Sequence, residues 1–524
     1  MTTPAPNVFE RHPAAWAWAV VLLGSAVRIW FTATGQLNLV QDEAQYWDWS
    51  RTLQLTYYSK GPLIAWWIAA WTAVFGSGEL GVRLGAIALG AAGQGLVYGL
   101  ARRLSGRAGL GLLALVAWNS LPMSLAYSLL MTTDSLFLFF WTAGLVVLAR
   151  ILGAGGPPAK DGLLEHGLLA LVLACGILSK YTMLGFIPLA LLCAALGQRL
   201  GLIPRVAFGR LVAAMLAGLA LGFLPTLVWN VQHGLVGYRH VLTLIGVSGE
   251  AVTSFLRPDR FVEHAAAQLG VLTPWWLGLI VLASLGCLKA VLGTREAPCG
   301  LGPCAALFAL VFFWPVFLFF LFWGLHSKVY ANWSVISVAA GCVLGALGFE
   351  RLSGKWSRRL VLGLSALVFV LAHVQQILPL PPNLAIADRL KGFEDLGWEV
   401  ERLKTTKCNN PQQVFVFSEL YDLTAALSFY VPGQARAYCV WADERRMNQY
   451  DLWPGPEDKV GWDAVYVRKR YAGWVPAAVE RMFAAIEGPH HFQTWHKGRP
   501  ARDFTLFVCR RYTGFWPRPE HATF

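Results

Sequence analysis

Long apolar runs recur along most of this chain. From about residue 14 to residue 378, runs of about 17 to 25 residues are each bounded by charged residues or by glycine and proline. Runs of this length cross the roughly 30 Å hydrocarbon core of a bilayer as helices. Only 14% of the 524 residues are charged and 56% are hydrophobic, against about 25% charged residues in a soluble protein. The chain is therefore predicted to be a polytopic α-helical membrane protein.

The apolar runs predict about eleven transmembrane helices. The first run is not expected to be a cleavable signal peptide, because further spans and no small-residue cleavage site follow it. The predicted spans lie near residues 14–34, 80–101, 109–127, 133–152, 164–180, 183–197, 211–229, 263–288, 303–325, 333–349 and 359–378.

Lysine and arginine are concentrated in alternate loops, as in the segment that holds Arg102, Arg103 and Arg107. Loops rich in these residues stay in the cytoplasm, so the N-terminus is predicted to be cytoplasmic. We expect a membrane domain over residues 1–382 and an external C-terminal domain over residues 383–524. Because the net charge of +13 arises mostly from this bias and from a basic tail, nucleic acid is not an expected partner.

A large external loop is predicted between the first two spans, over residues 35–79. It begins with the acidic and aromatic stretch QDEAQYWDWS at residues 41–50. It also contains a shorter apolar segment, residues 62–75, which is rich in tryptophan. Tryptophan favours the membrane interface, so we expect this segment to be a helix that lies along the outer surface.

The C-terminal segment has the composition of a soluble domain. Four short segments predict strands, QQVFVFSEL, ARAYCVW, DAVYVRKRY and FTLFVCRRY, and DLTAALSFY predicts a helix after the first of them. We therefore expect a small external α/β domain. Cys408, Cys439 and Cys509 lie in this predicted oxidising region, which allows one disulfide.

Polar clusters interrupt the apolar runs at one predicted face of the membrane. Ionisable groups at this depth usually serve a site or a path, so the clusters predict a shared outer cavity. The alternatives are that the lysines only extend to the headgroups, that Asp134 only caps its helix, that the first-loop acids only solvate the loop, and that the histidines only make local hydrogen bonds. The residues on this face are Asp42, Glu43, Asp48, Lys60, Asp134, Lys180, His233, Tyr238, Arg239, His240, His326, Lys328 and Tyr330.

Acids and cations at an outer membrane surface suit the transfer of a sugar from a polyprenyl phosphate. A carboxylate (Asp42, Glu43 or Asp134) can take the proton from an acceptor hydroxyl during its attack on the anomeric carbon. Cations can hold the phosphate and stabilise it as it leaves. The candidates for donor binding are Lys60, Lys180, Arg239, Lys328 and Tyr330, and those for other substrate contacts are Tyr46, Tyr58, His233, His240 and Asn332.

Other functions remain open at this point. A transporter or flippase would move a lipid-linked sugar without chemistry, but it needs a polar path to the cytoplasmic side, and no such path is evident. A polymerase or ligase of lipid-linked oligosaccharides would share the donor class and the external site. A catalytically inactive scaffold is disfavoured by the presence of both Asp42 and Asp134.

A series of motifs gives a more specific indication. In order, the chain contains QDEAQYWDWS, YYSKGPLIAWW, FGSGELGVRL, SLLMTTDSLFLFFW, ILSKYTMLGFIP, LPTLVWNVQHGLVGYRH and KVYANWSV. This series resembles the bacterial family 39 glycosyltransferases, relatives of the protein O-mannosyltransferases and of the aminoarabinose transferase that modifies lipid A. The resemblance covers most of residues 15–380.

The resemblance implies a GT-C fold in the bacterial inner membrane, a periplasmic active site, a polyprenyl-phosphate sugar donor and inversion at the anomeric carbon. The essential first-loop acid of the family falls on Asp42, and the acid that opens the fourth span falls on Asp134. The Lys-Pro-Pro-Leu motif of the family appears as KGPL, which begins at Lys60. The aminoarabinose enzyme has a zinc-associated glutamate before this lysine, whereas Ser59 stands here, and this departure argues against a bound metal.

The acceptor implied by the resemblance is lipid A, lipopolysaccharide or another cell-surface glycan, with protein as the alternative. A phosphate acceptor is already ionised and needs no strong base, whereas a hydroxyl acceptor does need one. The sequence does not specify the sugar or the oligomeric state.

Overall fold

The computed structural model describes residues 12–159, 162–203, 208–244, 256–293, 300–374, 390–443 and 445–519. The chain divides into two units. The helical unit contains the described residues of Met1–Ile29, Leu84–Trp229 and Glu250–His373, and the mixed unit contains those of Trp30–Arg83, Asn230–Gly249 and Val374–Phe524. The domain boundary predicted near residue 382 lies outside the described residues.

Helices dominate the chain up to residue 374. They are α1 (Pro13–Ala33), α2 (Gln41–Ser50), α3 (Leu63–Phe75), α4 (Glu79–Ser105), α5 (Ala108–Trp118), α6 (Pro122–Tyr127), α7 (Thr133–Leu152), α8 (Leu163–Ser179), α9 (Phe186–Arg199), α10 (Phe208–Gln232), α11 (Val236–Leu244), α12 (Pro258–Leu272), α13 (Pro274–Val291), α14 (Pro303–Trp323), α15 (Val338–Glu350) and α16 (Lys355–Val374). Two 3₁₀ turns, Tyr181–Gly185 and Ala331–Ser337, lead directly into α9 and α15.

Nine helices among the described residues are long and apolar enough to cross a membrane. They correspond to nine of the predicted spans, with the 3₁₀ turns counted as part of α9 and α15. The other two predicted spans, 109–127 and 164–180, are formed by shorter apolar helices, α5 with α6 and α8. The polytopic helical architecture is therefore confirmed, and the number of crossings depends on these shorter helices.

Two predicted spans are interrupted by proline. The span predicted over 263–288 is divided into α12 and α13, because Pro274 follows Thr273, whose φ is 57°. The span predicted over 109–127 is divided at Pro122, which begins α6. Proline lacks a backbone N–H and disfavours helical geometry in the residue before it, so a new helix begins at each proline instead of one helix continuing.

Glycine allows α10 to approach α8 closely in the helical unit. A Cβ atom at Gly218 would lie 2.7 Å from the carbonyl oxygen of Ala170, and one at Gly222 would lie 2.8 Å from that of Ala174. The two glycines are four residues apart and share one face of α10. This is the close helix contact that small residues allow in membranes.

The segment predicted as the large first loop contains two helices. The stretch QDEAQYWDWS forms helix α2, so the interpretation of its acids as loop residues is wrong. Glu43 is the third residue of α2, and its carboxylate accepts a hydrogen bond from the backbone N–H of Val40 at the N-cap, which stabilises the start of a helix. The apolar helix expected over 62–75 is present as α3.

The C-terminal part of the mixed unit contains a five-stranded sheet with the order β2-β1-β3-β5-β4. β1 is parallel to β2 and β3, and β5 is antiparallel to β3 and β4. The strands are β1 (Val414–Ser418), β2 (Tyr438–Cys439), β3 (Asp463–Lys469), β4 (Phe483–His496) and β5 (Arg499–Tyr512), and the helices are α17 (Phe393–Lys407), α18 (Tyr421–Tyr430) and α19 (Ala477–Glu480).

The four predicted strands and the helix after the first of them are confirmed, so the C-terminal domain is α/β. The sequence did not predict α17 or β4. Strand β4 contains Gly488 and Pro489, which are unfavourable in a strand interior. The ladder between β4 and β5 shifts register between Glu487 and His490, and this irregularity accommodates the two residues.

The three cysteines of the C-terminal domain are buried free thiols. Cys408, Cys439 and Cys509 make no disulfide, so the disulfide that the sequence allowed is not formed. Burial raises the pKa of the Cys439 thiol to about 12, which keeps it protonated and unreactive at neutral pH.

Candidate active site

Asp42 and Glu43 both lie in the first turn of α2, but their surroundings differ. Asp42 is exposed, whereas Glu43 is fully buried. Glu43 accepts hydrogen bonds from Nε and Nη2 of Arg83 at 3.0 and 2.7 Å, in addition to the bond from Val40. Both carboxylate oxygens of Glu43 are therefore engaged by one buried guanidinium, while Asp42 lies at the surface beside it.

Arg83 also fixes the chain before α2. It is fully buried and donates to the carbonyl oxygens of Leu37 at 2.7 Å and Asn38 at 2.8 Å. The side-chain amide of Asn38 donates to Glu79 at 3.0 Å. The start of α2 is thus tied at several points to the first turns of α4.

Asp48, at the other end of α2, is a second buried carboxylate. Its Oδ2 accepts hydrogen bonds from the hydroxyls of Tyr450 at 2.8 Å and Ser428 at 3.4 Å. Arg51 lies 3.4 Å from its Oδ1. Burial raises the pKa of Asp48, and the hydrogen bond from Tyr450 and the nearby cations oppose that shift. These contacts join α2 to the C-terminal part of the mixed unit.

Lys60 lies in a tight turn just before α3. Its carbonyl oxygen accepts hydrogen bonds from the Tyr57 N–H at 3.1 Å and from the Thr56 hydroxyl at 3.0 Å. The adjacent ring of Tyr58 packs against His240, with centroids 4.7 Å apart. Burial, followed by the positive charges of Lys60 and Arg446, lowers the pKa of His240 to about 4. The cations near this neutral histidine make a region suited to an anion.

In the helical unit, three residues predicted from the sequence form one cluster. Asp134 accepts hydrogen bonds from Lys180 Nζ at 2.6 Å and from Asn332 Nδ2 at 3.0 Å. Asp134 lies in the first turn of α7, Lys180 directly follows α8, and Asn332 lies in the 3₁₀ turn before α15. Thr132 occupies the N-cap of α7 and Asp134 lies in its first turn, where a negative charge favours the helix N-terminus.

The other predicted residues make fewer contacts with these groups. Lys328 is exposed, and its ammonium lies 5.5 Å from the ring centroid of Tyr330. His233 and Arg239 are exposed on either side of the start of α11. Tyr46 is buried and packs against Trp49 with centroids 5.2 Å apart, so its ring stabilises α2.

The described residues offer no obvious metal centre. Within them, no group of three or more histidine, cysteine, aspartate or glutamate side chains could hold an ion. Ser59 also stands before Lys60, where the zinc-associated glutamate of the aminoarabinose enzyme is found. The side chains present therefore do not fit the zinc site of that relative.

Sequence reasoning did not identify Arg83, Glu79, Tyr430 or Tyr450 as partners of the acidic stretch. Arg83 lies within the motif FGSGELGVRL, and a charge at the start of an apolar span is a signal that could have drawn attention to it. The two tyrosines carry no local signal, because their contacts join segments that are far apart in the chain.

Comparison with known proteins extends these observations. The family model described as dolichyl-phosphate-mannose-protein mannosyltransferase matches residues 59–229. The lipid A galacturonosyltransferase RgtD of Rhizobium johnstonii is 30% identical over 410 residues, covering 74% of this chain and 76% of that protein.

Solved structures of membrane enzymes share the fold. ArnT from Cupriavidus metallidurans matches with a TM-score of 0.62 in the apo state and when bound to undecaprenyl phosphate, at 17% and 16% identity. Each match covers 94% of this chain and 98% of ArnT. The oligosaccharyltransferase of Archaeoglobus fulgidus matches with a TM-score of 0.55 at 11% identity, over 88% of this chain and 70% of that protein.

The match to RgtD is long enough to show the family, and the mannosyltransferase model and the shared fold agree with it. The chain is a multi-pass membrane glycosyltransferase with a GT-C fold and belongs to the family of the lipid A galacturonosyltransferase RgtD.

Proposed function

We propose that this enzyme transfers a single sugar from an undecaprenyl-phosphate type donor to lipid A, or to another glycan of the cell envelope, at the periplasmic face of the inner membrane. The acceptor class rests on the likeness to a lipid A galacturonosyltransferase. The donor class is supported by the fold shared with ArnT, which has been solved with undecaprenyl phosphate bound.

One observation carries the proposed mechanism: two adjacent acids of α2 have different environments. Glu43 is held on both oxygens by buried Arg83, whereas Asp42 is exposed in the same helical turn. A general base must reach the proton that it removes. We therefore assign Asp42 as the base and Glu43 as the group that anchors the helix.

The reaction then needs one proton acceptor and one cation for the leaving group. Asp42 removes the proton of an acceptor hydroxyl while the hydroxyl oxygen bonds to the anomeric carbon. The bond between that carbon and the phosphate oxygen breaks, and the electron pair leaves with polyprenyl phosphate. Lys60, in its turn before α3, stabilises the negative charge on the departing phosphate.

The Asp134 cluster is assigned to substrate orientation. The contact between Lys180 and Asp134 neutralises both charges, so Lys180 binds phosphate only through its remaining N–H donors. Asn332 fixes the other oxygen of Asp134. A carboxylate held in this way is suited to accept hydrogen bonds from sugar hydroxyls. Lys328, Tyr330 and Arg239 remain candidates for binding the donor phosphate.

The direct test is mass spectrometry of lipid A from cells with and without the gene. We expect lipid A from the gene-containing cells to carry one additional sugar, and cells with Asp42→Asn to lack it. Identical lipid A and identical surface glycans in both strains would exclude the proposed acceptors.

Protein O-glycosylation is the second candidate, because the matching family model is described as a protein mannosyltransferase. In that case the lipid A would be unchanged, and envelope glycoproteins would lose a sugar when the gene is deleted. Glycopeptide analysis of the same two strains separates the two functions.

A further inference from the structure

The side chain of Tyr430 contacts the chain just before α2, the helix that carries Asp42. The backbone N–H of Leu39 donates a hydrogen bond to the Tyr430 hydroxyl oxygen at 2.6 Å, and this hydroxyl donates to Glu79 at 2.5 Å. Tyr430 is the last residue of α18. Leu39 precedes Asp42 by three residues, so this tyrosine fixes the backbone immediately before the proposed base.

Tyr450 lies at the opposite end of the same helix. Its hydroxyl donates to Asp48 at 2.8 Å, and both side chains are buried. A buried carboxyl group is costly without hydrogen-bond partners. This contact therefore strongly restricts where the end of α2 can lie.

The position of α2 depends on such contacts because the helix is short. It has only 10 residues, and isolated helices below about 12–15 residues are marginal in water. Its aromatic packing includes the ring of Trp47 against Phe429, with centroids 4.9 Å apart. Phe429 and Tyr430 are neighbours in α18, so the C-terminal domain supplies both packing and hydrogen bonds to α2.

We propose that Tyr430 and Tyr450 are positioning residues for the transfer reaction. The C-terminal domain then contributes to catalysis by holding the helix that carries the base. The two hydroxyls hold the two ends of α2 and thereby keep Asp42 in its reactive orientation. This inference rests on the proposed role of Asp42 as the base.

The expected effect follows from the sensitivity of catalysis to geometry. A displacement of about 1 Å can cost about 100-fold in rate. Tyr430→Phe and Tyr450→Phe each remove one hydroxyl and keep the ring. Each should lower kcat by about 10- to 100-fold and change KM for the donor by less than about threefold, since an orienting contact affects the transition state more than donor binding.

Tyr466→Phe is the matched control. Tyr466 is fully buried in β3, and its hydroxyl donates to Glu419 at 2.6 Å within the C-terminal domain. It makes the same kind of bond as Tyr450 but not to α2. We expect a near-normal kcat for this variant even if its unfolding temperature falls, because a general loss of domain stability does not displace Asp42.

The experiment compares the full-length variants in detergent with a polyprenyl-phosphate sugar, alongside hydrogen–deuterium exchange of residues 40–50. We expect faster exchange and lower kcat in Tyr430→Phe and Tyr450→Phe but not in Tyr466→Phe. Normal kcat in both test variants, or an equal loss of kcat in the control, would overturn the inference. If one of the two test variants does not fold, the other carries the test.

Wild-type enzyme and Asp42→Asn are measured in the same series. If the wild type and both tyrosine variants are fully active and Asp42→Asn is inactive, the positioning role alone is rejected. An active Asp42→Asn would instead reject the proposed base.

Discussion

Replacing Arg83 by methionine should destabilise the protein strongly. Arg83 makes four hydrogen bonds in a fully buried environment, two to Glu43 and one each to the carbonyl oxygens of Leu37 and Asn38. Removing one partner of a buried ion pair typically costs about 3–5 kcal/mol. Each carbonyl left without a donor adds about 1–3 kcal/mol if water does not reach it. We therefore expect a loss of at least about 3 kcal/mol.

Two comparisons make this prediction specific. The double variant Glu43→Met with Arg83→Met should recover the part of the loss that comes from the unpaired Glu43 carboxylate, because apolar groups of similar volume can replace a buried pair at little cost; the cost of the two carbonyl groups left without a donor remains. Arg402→Met breaks the ion pair between the exposed Arg402 and the partly buried Glu399 in α17 and should cost less than about 1 kcal/mol.

The measurement is equilibrium unfolding of the three variants in mixed detergent micelles, followed by tryptophan fluorescence. If Arg83→Met is as stable as Arg402→Met, or if the double variant is less stable than Arg83→Met, the buried pair does not anchor α2 as described.

Three further predictions follow from the site. Lys60→Gln should raise the donor KM or lower kcat by about 10-fold or more, since a charge-assisted contact is worth about 1.5–3 kcal/mol; the exposed Lys407→Gln should change neither. In the folded protein the pKa of His240 is about 4, below the usual value of about 6.5. The contribution of this histidine to the free energy of unfolding is therefore complete above pH 6.5 and is lost as the pH falls towards 4. In His240→Asn the free energy of unfolding should change less with pH across this window. An unchanged slope would mean that other groups cause the pH dependence. In whole cells with the native cysteines removed, a cysteine introduced near Gly455 should react with an impermeant thiol reagent and one introduced near Arg103 should not. The opposite pattern would reverse the proposed orientation.

The elements that the sequence predicted well are those with a strong local pattern. Apolar runs of spanning length and alternating β-branched segments are visible without knowledge of the fold. The sequence also placed Asp134 and Lys180 at one face and gave Asn332 as a candidate for substrate contacts, and in the structure the side chains of Lys180 and Asn332 both contact Asp134.

The features that the sequence did not predict depend on contacts between distant segments. QDEAQYWDWS lacks an apolar stripe, and it folds as a helix because Arg83, Tyr430 and Tyr450 hold it from other parts of the chain. Strand β4 was missed for the same reason: Gly488 and Pro489 oppose a strand locally, and pairing with β5 overrides them. Local propensity could not reveal either pairing.

The most direct test of the account is turnover of an undecaprenyl-phosphate sugar by purified Asp42→Asn, with Glu43→Gln and Asp134→Asn measured beside it. Asparagine keeps the size of aspartate but cannot accept the proton, and loss of a general base typically costs about 10²–10⁴-fold in rate. The account predicts a loss of this size in Asp42→Asn without loss of folding, and a larger fall in stability for Glu43→Gln than for Asp42→Asn. Near-normal turnover by Asp42→Asn, with or without a collapse in Glu43→Gln, would contradict the assignment of the base to Asp42.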